Sequence, residues 1–172
     1  FERVLKMKPW LLAVIFDSSR PITPFNLDNL LRTKARDLGL RIKGLETSEE
    51  HFQVLDNFSI QEQITFLKKV MVKSLAQKEK DYEQLMSAYL SQDLNNIIKT
   101  NEDLTSKLVS KSMWIKIKKK LLINRNKLFF NRAHKLANNN QLFIAVGASH
   151  LGGDNGLLKQ FEHAGYQLRA LR

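Results

Sequence analysis

The stretch LFIAVGASHLGGDNGLLKQFEHAGYQL, residues 142–168, decides the predicted fold. Residues 141–146 are almost all apolar, and such a short run bounded by a glycine-rich turn predicts a buried strand. Residues 157–164 have helical spacing with Gly165 as the stop, and residues 166–171 predict a second strand. Two strands joined by a crossover helix should be parallel with a right-handed connection.

Working outward, most of the remaining chain predicts helices. Three helix starts carry side chains that can cap the free backbone N–H groups, and the first of these helices has a glycine stop. These signals are Asn26 before residues 27–38 with Gly39 after them, Thr47 with Glu50, and Ser59 with Glu62. Residues 78–108 predict shorter helical pieces, and the segment from Trp114 to the asparagine run near 138–140 predicts a longer helix.

A third, short strand is predicted between Leu40 and Glu46, where Leu40 and Ile42 alternate with polar residues. The predicted fold class is therefore α/β and helix-rich, with a small, mostly parallel sheet of about three strands covered by helices. One domain over residues 1–172 is expected. Because parallel sheets seldom consist of three strands, we expect further strands of this sheet before Phe1.

Charge and composition exclude several classes of protein. The 28 basic and 17 acidic residues leave a net charge of +11, so contact with an acidic partner or an anionic surface is favourable. The chain has no cysteine, which excludes disulfides and thiol nucleophiles. The longest apolar run, residues 9–16, is far shorter than the roughly 20 residues that a membrane-spanning helix needs.

A lysine cluster near Trp114 raises the question of nucleic acid. The cluster alternates with Ile and Leu at helical spacing, which favours an amphipathic helix with an exposed basic face over specific nucleic-acid recognition. Its members are Lys116, Lys118, Lys119 and Lys120. No phosphate loop, Gly-x-Ser-x-Gly elbow or His-Glu-x-x-His pair is present in the sequence.

His150 is the first candidate for a functional residue. It follows Gly147 by three positions at the end of a predicted parallel strand, where open α/β sheets bind ligands. A glycine at 147 allows a sharp turn or a close approach, and Gly153 is a second turn residue. A neutral imidazole there could bind a metal or act as a base. On this spacing alone, a histidine that only hydrogen-bonds its loop is the more frequent explanation.

Three further residues are candidates because of where they fall. Glu46 ends the other predicted strand, so it could converge with His150, although a carboxylate at a helix start is also stabilised by the helix dipole. Arg125 and Asn126 lie in a helix with an apolar opposite face. Arginine can bind an oxyanion and asparagine can orient a substrate. Without other evidence, however, these two residues are more typical of a solvated helix face.

Four blocks of the sequence together resemble the TraB/GumN family, which includes the Tiki-type metalloproteases. They are KPWLLAVIF, GLRIKGLETSEEHFQVLDNFSIQEQ, NRNKLFFNRAHKL and the opening stretch. The last block is the most specific, because the family's Val-Gly-x-x-His-Leu-x-Gly turn and Gly-Tyr pair are matched by Val146, Gly147, His150, Leu151, Gly153, Gly165 and Tyr166. The family often has Gln where His51 stands here, and Trp shortly after the Arg-Asn pair, where this chain has Phe129 and Phe130.

The resemblance implies a site with two Gly-x-x-His motifs, acidic residues and a divalent metal such as Mn²⁺, Co²⁺ or Zn²⁺. Only the second motif occurs between Phe1 and Arg172, so the chain is similar to the C-terminal portion of the family domain. His150 and Glu46 are the expected metal ligands, and His150, Glu46, Arg125 and Asn126 the expected catalytic residues. A peptide or protein is the implied substrate, and the missing N-terminal half is an implied partner.

Two functions remain open at this point. The first is a metal-dependent hydrolase of the peptidase type, of which this chain is the C-terminal part. The second is a non-catalytic binding or regulatory module that uses its basic surface to contact an acidic partner or a membrane surface. An export signal before residue 1 would place the protein outside the cytoplasm, and its absence would leave the protein inside.

Overall fold

The computed structural model describes residues 6–19 and 25–171, and in these residues the architecture is helical. Nine α-helices follow one another within the described residues. They are α1 (Pro9–Asp17), α2 (Leu27–Asp37), α3 (Ser48–Asp56), α4 (Ile60–Met71), α5 (Leu75–Leu90), α6 (Leu94–Ser106), α7 (Lys111–Lys118), α8 (Asn124–Ala137) and α9 (Leu157–His163). A π-helical segment, Lys119–Ile123, joins α7 to α8, and a 3₁₀ turn, Ala148–His150, precedes α9.

The predicted three-stranded sheet is wrong for the described residues, which contain no β-strand. Residues 40–44, 141–147 and 166–171 run without helix, turn or bend, but they form no ladder with one another. The apolar alternation that predicted the strands shows only that a segment suits a sheet, whereas a sheet also needs paired backbones. The predicted parallel pairing and the predicted right-handed crossover connection are therefore wrong for these residues as well.

The predicted helix starts are confirmed, because each depends only on neighbouring residues. Asn26 accepts a hydrogen bond from the backbone N–H of Asn29, and Thr47 with Glu50 forms a complete capping box. Ser59 and Glu62 form a second one. The predicted glycine stops are confirmed too, since Gly39 and Gly165 adopt the left-handed conformation that ends helices, with φ of 66° and 89°.

The core forms where α1, α4, α7 and the connection before α7 meet. Ala13, Val70 and Leu108 make one buried cluster, and Phe66 and Val109 pack against it. The second buried cluster consists of Phe58, Met113 and Ile117, and it shares Phe66 and Val109 with the first. Helix α2 differs, because it buries none of its side chains despite an amphipathic sequence.

The predicted long helix after Trp114 is present as α7, the π-helical segment and α8 in direct succession. A π-helical turn inserts an extra residue and rotates the helix face that follows it. Helix α8 packs against α9, and α6 packs against the 3₁₀ turn that carries His150. These contacts place α8 beside the loop of the opening stretch. None of the described helices is long and apolar enough to cross a bilayer.

Candidate functional site

His150 lies in the 3₁₀ turn and not at the end of a strand, and its side chain is buried, with 8% of the residue exposed. Its ring packs beside Phe129 of α8, with 5.2 Å between the ring centroids. Its Nδ1 atom lies 2.6 Å from Oδ1 of Asn126, which is itself only 2% exposed. Two of the four predicted catalytic residues are therefore in direct contact.

The amide of Asn126 determines which ring nitrogen of His150 carries the proton. Its Nδ2 donates a hydrogen bond of 2.8 Å to the backbone carbonyl of Asn155, so its Oδ1 must be the atom that faces His150. Because a carbonyl oxygen only accepts, His150 Nδ1 is the donor. The imidazole is therefore the Nδ1–H tautomer, and its Nε2 lone pair is free.

The Nε2 atom of His150 is unpaired and not fully buried. It has no hydrogen-bond partner in the described part of the chain, yet it is not one of the fully buried unpaired atoms there, which are Ser19 Oγ and Gln63 Oε1. Gly147 contributes to this access, because a Cβ atom at that position would lie 3.8 Å from Cδ2, the ring carbon next to Nε2. A larger side chain at 147 would cover this edge of the ring.

His150 is neutral at physiological pH. Burial lowers the pKa of the imidazole to about 4 from its ordinary 6.5, and the charge of Arg125 lowers it further, while Glu46 acts in the opposite direction. A histidine with this pKa is a good neutral ligand. It is a poor general base at pH 7, because such bases work best when their pKa is near the working pH.

Glu46 and Arg125 form a second pair, as close neighbours of the first. Arg125 donates from Nε to Glu46 Oε2 at 2.9 Å and from Nη2 to Oε1 at 2.7 Å, with both side chains about 15% exposed. Burial alone would raise the pKa of Glu46, but hydrogen bonds from Arg125 and His51 outweigh it and lower the pKa. Glu46 is therefore an ionised and fully engaged carboxylate.

The four predicted residues come together as two linked pairs, not in one cleft. Arg125 and Asn126 are consecutive in α8, so Arg125 holds Glu46 while Asn126 holds His150. A groove of about 280 Å³ opens between α3 and α8 and is lined in part by Glu46 and Arg125. His150 and Asn126 do not line it. Glu46 lies in a bend directly before α3, not at the end of a strand.

Sequence reasoning missed the ion-pairing roles of His51, Arg132 and Glu50 in this arrangement. His51 donates from Nδ1 to Glu46 at 2.8 Å, since the ionised carboxylate can only accept. Arg132 makes a second bidentate pair, with Glu50, and also donates to the backbone carbonyl of Leu45. The sequence did contain a signal for two paired arginines and carboxylates. Glu46 and Glu50 are four residues apart, and Arg125 and Arg132 are seven apart in a helix, so they share one face.

The loop after His150 is held in place by glycines. A Cβ atom on Gly156 would lie 2.2 Å from the carbonyl oxygen of Gly152, so only glycine fits there. A Cβ atom on Gly152 would lie 2.8 Å from Ile98 of α6. Gly153, predicted as a turn residue, has a φ of 77°. This tight loop presents the carbonyl of Asn155 to Asn126.

The donor set among the described residues does not make a complete metal site. Divalent ions in proteins are usually held by three or more protein ligands or by fewer ligands together with a substrate. His150 Nε2 is a free ligand atom, but both carboxylate oxygens of Glu46 are engaged by Arg125 and His51. No group of three or more His, Cys, Asp or Glu side chains in residues 6–19 and 25–171 could hold a metal ion. His150 fits as one ligand, and Glu46 does not fit as its partner.

Comparison with known proteins gives a family. The model of the TraB/PrgY/gumN family matches residues 1–170 of the chain, which is nearly all of it, and this confirms the resemblance seen in the sequence. No curated protein and no solved structure matches the chain.

Proposed function

This chain belongs to the TraB/PrgY/gumN family, and on that basis and the geometry of His150 we propose that it is part of a metal-dependent hydrolase that acts on peptides. The observation that carries the proposal is the buried, neutral imidazole that Asn126 holds with its Nε2 lone pair accessible. The large majority of buried side-chain polar atoms in proteins have a hydrogen-bond partner. Here one nitrogen is fixed and the other is left open.

Within this proposal His150 is the residue that meets the reacting groups. The low pKa of its ring favours a role as a ligand atom over one as a general base. A divalent metal such as Mn²⁺, Co²⁺ or Zn²⁺ remains part of the proposal only with additional ligands from outside the described residues. The first Gly-x-x-His motif that the family resemblance implies, and the view of the chain as the C-terminal portion of a larger domain, belong to the same proposal.

The other three candidate residues act through their neighbours. Asn126 uses both ends of its amide, on His150 and on the carbonyl of Asn155. Arg125 uses Nε and Nη2 on Glu46 and Nη1 on the carbonyl of Leu121. With these donors engaged, we assign Arg125, Asn126 and Glu46 to positioning and to the electrostatic environment of His150, in place of the direct roles that the sequence suggested.

The test is peptide hydrolysis by the protein produced with any residues that its gene encodes before residue 1. We expect cleavage of unstructured peptides in the presence of Mn²⁺, Co²⁺ or Zn²⁺, and a loss of at least about 100-fold in kcat/KM for His150→Ala. His163→Ala is the matched control, because His163 is an exposed histidine on α9, and it should retain full activity. Equal activity of wild type and His150→Ala would remove His150 from the mechanism.

Metal binding gives a second readout that does not depend on turnover. Titration calorimetry with each of the three metal ions should show weaker binding to His150→Ala than to wild type and no change for His163→Ala. If wild type and both variants bind the metal ions equally well, His150 is not a metal ligand.

The alternative function, a basic binding module, has less support. Two lysines of the predicted basic face are paired with carboxylates, Lys116 with Glu62 and Lys118 with Glu102, at 2.9 and 2.6 Å. These pairs reduce the positive charge that the face presents. The net charge of +11 remains the observation behind this alternative.

A further inference from the structure

The turn between α4 and α5 exposes large apolar side chains. Helix α4 ends at Met71 and α5 begins at Leu75, with three residues between them. Met71 is 62% exposed, Val72 is 81% exposed and Leu75 is 67% exposed. We refer to these three residues as the apolar turn. Single exposed apolar residues are common on proteins, but a group of them marks a contact with another protein or with a membrane.

A largely buried lysine holds the apolar turn in place. Lys73, in the middle of the turn, lies 2.9 Å from a carboxylate oxygen of Asp17 at the end of α1 and 2.9 Å from one of Asp81 in α5. Burial alone would lower the pKa of Lys73, but its hydrogen bonds to Asp81 and Asp17 outweigh burial and raise the pKa. Lys78 also donates to the backbone carbonyl of Phe16 in α1. These bonds tie the turn to two neighbouring helices.

The backbone of the apolar turn has hydrogen bonds within the protein. The N–H group of Val72 donates to the carbonyl of Lys68 at 3.3 Å, and that of Lys73 donates to the carbonyl of Val70 at 3.2 Å. The hydroxyl of Ser74 caps the start of α5. Backbone groups that are already bonded in this way can approach an apolar medium without becoming unpaired.

Lysines flank the apolar turn on both sides. Residues 68–80 contain five lysines and one glutamate, which gives a net charge of +4. Lys68, Lys69 and Lys80 are exposed and form no ion pair with any described residue. Lys68 lies one helical turn before Val72, so the two side chains share a face. A lysine stem can lie along an apolar surface while its charge stays among polar groups.

We propose that the apolar turn attaches the protein to the surface of a membrane that contains anionic lipids. The three apolar side chains enter the boundary between the headgroups and the acyl chains, and the three unpaired lysines contact the lipid phosphates. This contact is separate from the basic face that contains Lys116 and Lys118, which are paired with carboxylates. It does not depend on hydrolysis, because α6 and α8, and not α4 and α5, contact the turn that carries His150.

Two features favour a membrane over a protein partner. A stable protein interface takes up about 20 to 30 residues on each side, whereas the apolar turn offers three large apolar side chains at the ends of two helices. The second feature is the sign of the charge. A second copy of this chain would bring lysines against lysines, whereas an anionic bilayer attracts all of them.

The first test measures binding to lipid vesicles, with the protein produced with any residues that its gene encodes before residue 1. Vesicles of phosphatidylcholine and phosphatidylserine should bind it at least about tenfold more tightly than phosphatidylcholine alone, and added salt should weaken binding. The double variant Val72→Gln, Leu75→Gln should bind at least about tenfold more weakly than wild type. The matched control is Tyr89→Gln, Leu90→Gln, at exposed positions at the other end of α5, which should bind as wild type does.

A second pair of variants tests the lysines. The double variant Lys68→Gln, Lys69→Gln should bind the anionic vesicles at least about fivefold more weakly than wild type. Lys34→Gln, Lys127→Gln removes the same net charge from exposed positions on α2 and α8, and it should weaken binding by no more than about twofold. Because all the substituted side chains are exposed, each variant should keep the helical circular dichroism of wild type.

A fluorescent label reports which surface enters the bilayer. The chain has no cysteine, so Val72→Cys and Leu90→Cys each provide one thiol for a fluorophore that responds to the polarity of its surroundings. The emission of the label at position 72 should shift to the blue on anionic vesicles. The emission of the label at position 90 should not change.

Four results would overturn the proposal. In the first, vesicles that contain phosphatidylserine do not bind the protein. In the second, a variant pair of the turn binds no more weakly than its matched control, so that the turn is not responsible. In the third, soluble polyglutamate gives the same blue shift at position 72, which would assign the turn to an acidic polypeptide. In the fourth, the shift appears without vesicles as protein concentration rises, which would assign the turn to self-association.

Discussion

At the scale of single residues, the site depends on one amide group. Asn126 cannot turn its amide over without losing its bond to the carbonyl of Asn155, and this is what fixes the tautomer of His150. The sequence identified both residues, but for other roles. It offered no way to see that they touch, because they are 24 positions apart and the contact depends on how α8 meets the loop.

Asn126→Asp should raise the pKa of His150 from about 4 to above its ordinary 6.5. The new carboxylate still accepts the Nδ1 proton, and its negative charge favours the charged imidazole. An NMR titration of the His150 ring protons in wild type and in the variant measures the change. A midpoint that stays near 4 would show that Asn126 does not face the ring.

The free energy of unfolding should decrease as the pH is lowered through the titration of His150. The pKa of the folded protein is below the ordinary value, so the unfolded chain takes up a proton first as pH falls from about 6.5 to about 4. This part of the protein's stability is therefore complete above about pH 6.5, and it is lost progressively as the pH falls to about 4. The loss is at most about 3 kcal/mol.

The comparison for this prediction is His150→Gln, which retains a side-chain amide donor but does not titrate. Urea unfolding at a series of pH values should give a shallower decline for His150→Gln than for wild type in the window from about 6.5 to about 4. Parallel curves would mean that His150 has similar proton affinity in the folded and unfolded chains.

At the scale of elements, two bidentate arginines fasten α3 to α8. Arg125 holds Glu46 before α3 begins, and Arg132 holds Glu50 in its first turn. The hydrogen bonds from Arg132 and from the backbone of Thr47 lower the pKa of Glu50 to about 2. The sequence predicted the capping box of α3 because it is local. The spacing of the two carboxylates and of the two arginines was visible too, but it could not show that the pairs meet across 79 positions.

Arg125→Met should destabilise the protein by about 2 to 4 kcal/mol, because it leaves Glu46 partly buried without its main partner. Arg132→Met should cost less, since both Arg132 and Glu50 are more than a third exposed. Urea unfolding of the two variants at neutral pH measures the difference. An equal or reversed order would contradict the burial of the Glu46 pair.

Gly156→Ala should destabilise the protein more than Gly153→Ala. The added Cβ on Gly156 overlaps the carbonyls of Gly152 and Leu151, at 2.2 and 2.4 Å, so the loop must move at a cost of about 2 to 3 kcal/mol. At Gly153 nothing lies within 4 Å, and only the positive φ is penalised, by about 1 kcal/mol. Thermal unfolding of both variants checks the order, and a similar loss in both would mean that the loop is not packed as described.

At the scale of the whole molecule, the sequence predicted the helix ends correctly and the pairing of strands incorrectly. Caps and glycine stops act within a few residues of themselves, so Asn26, Ser59 and Gly39 predicted helix ends that the structure contains. A sheet depends on partners elsewhere, and the apolar alternation of residues 40–46, 141–146 and 166–171 could not supply them.

The central claim is that His150 is a neutral imidazole with its proton on Nδ1 and an accessible lone pair on Nε2. A long-range ¹H–¹⁵N spectrum of the ring at neutral pH tests it directly, since protonated and bare ring nitrogens have different ¹⁵N shifts. The account predicts a protonated Nδ1 and a bare Nε2 for His150, with Nδ1 changing in Asn126→Leu. A ring that carries its proton on Nε2, or on both nitrogens, would contradict it.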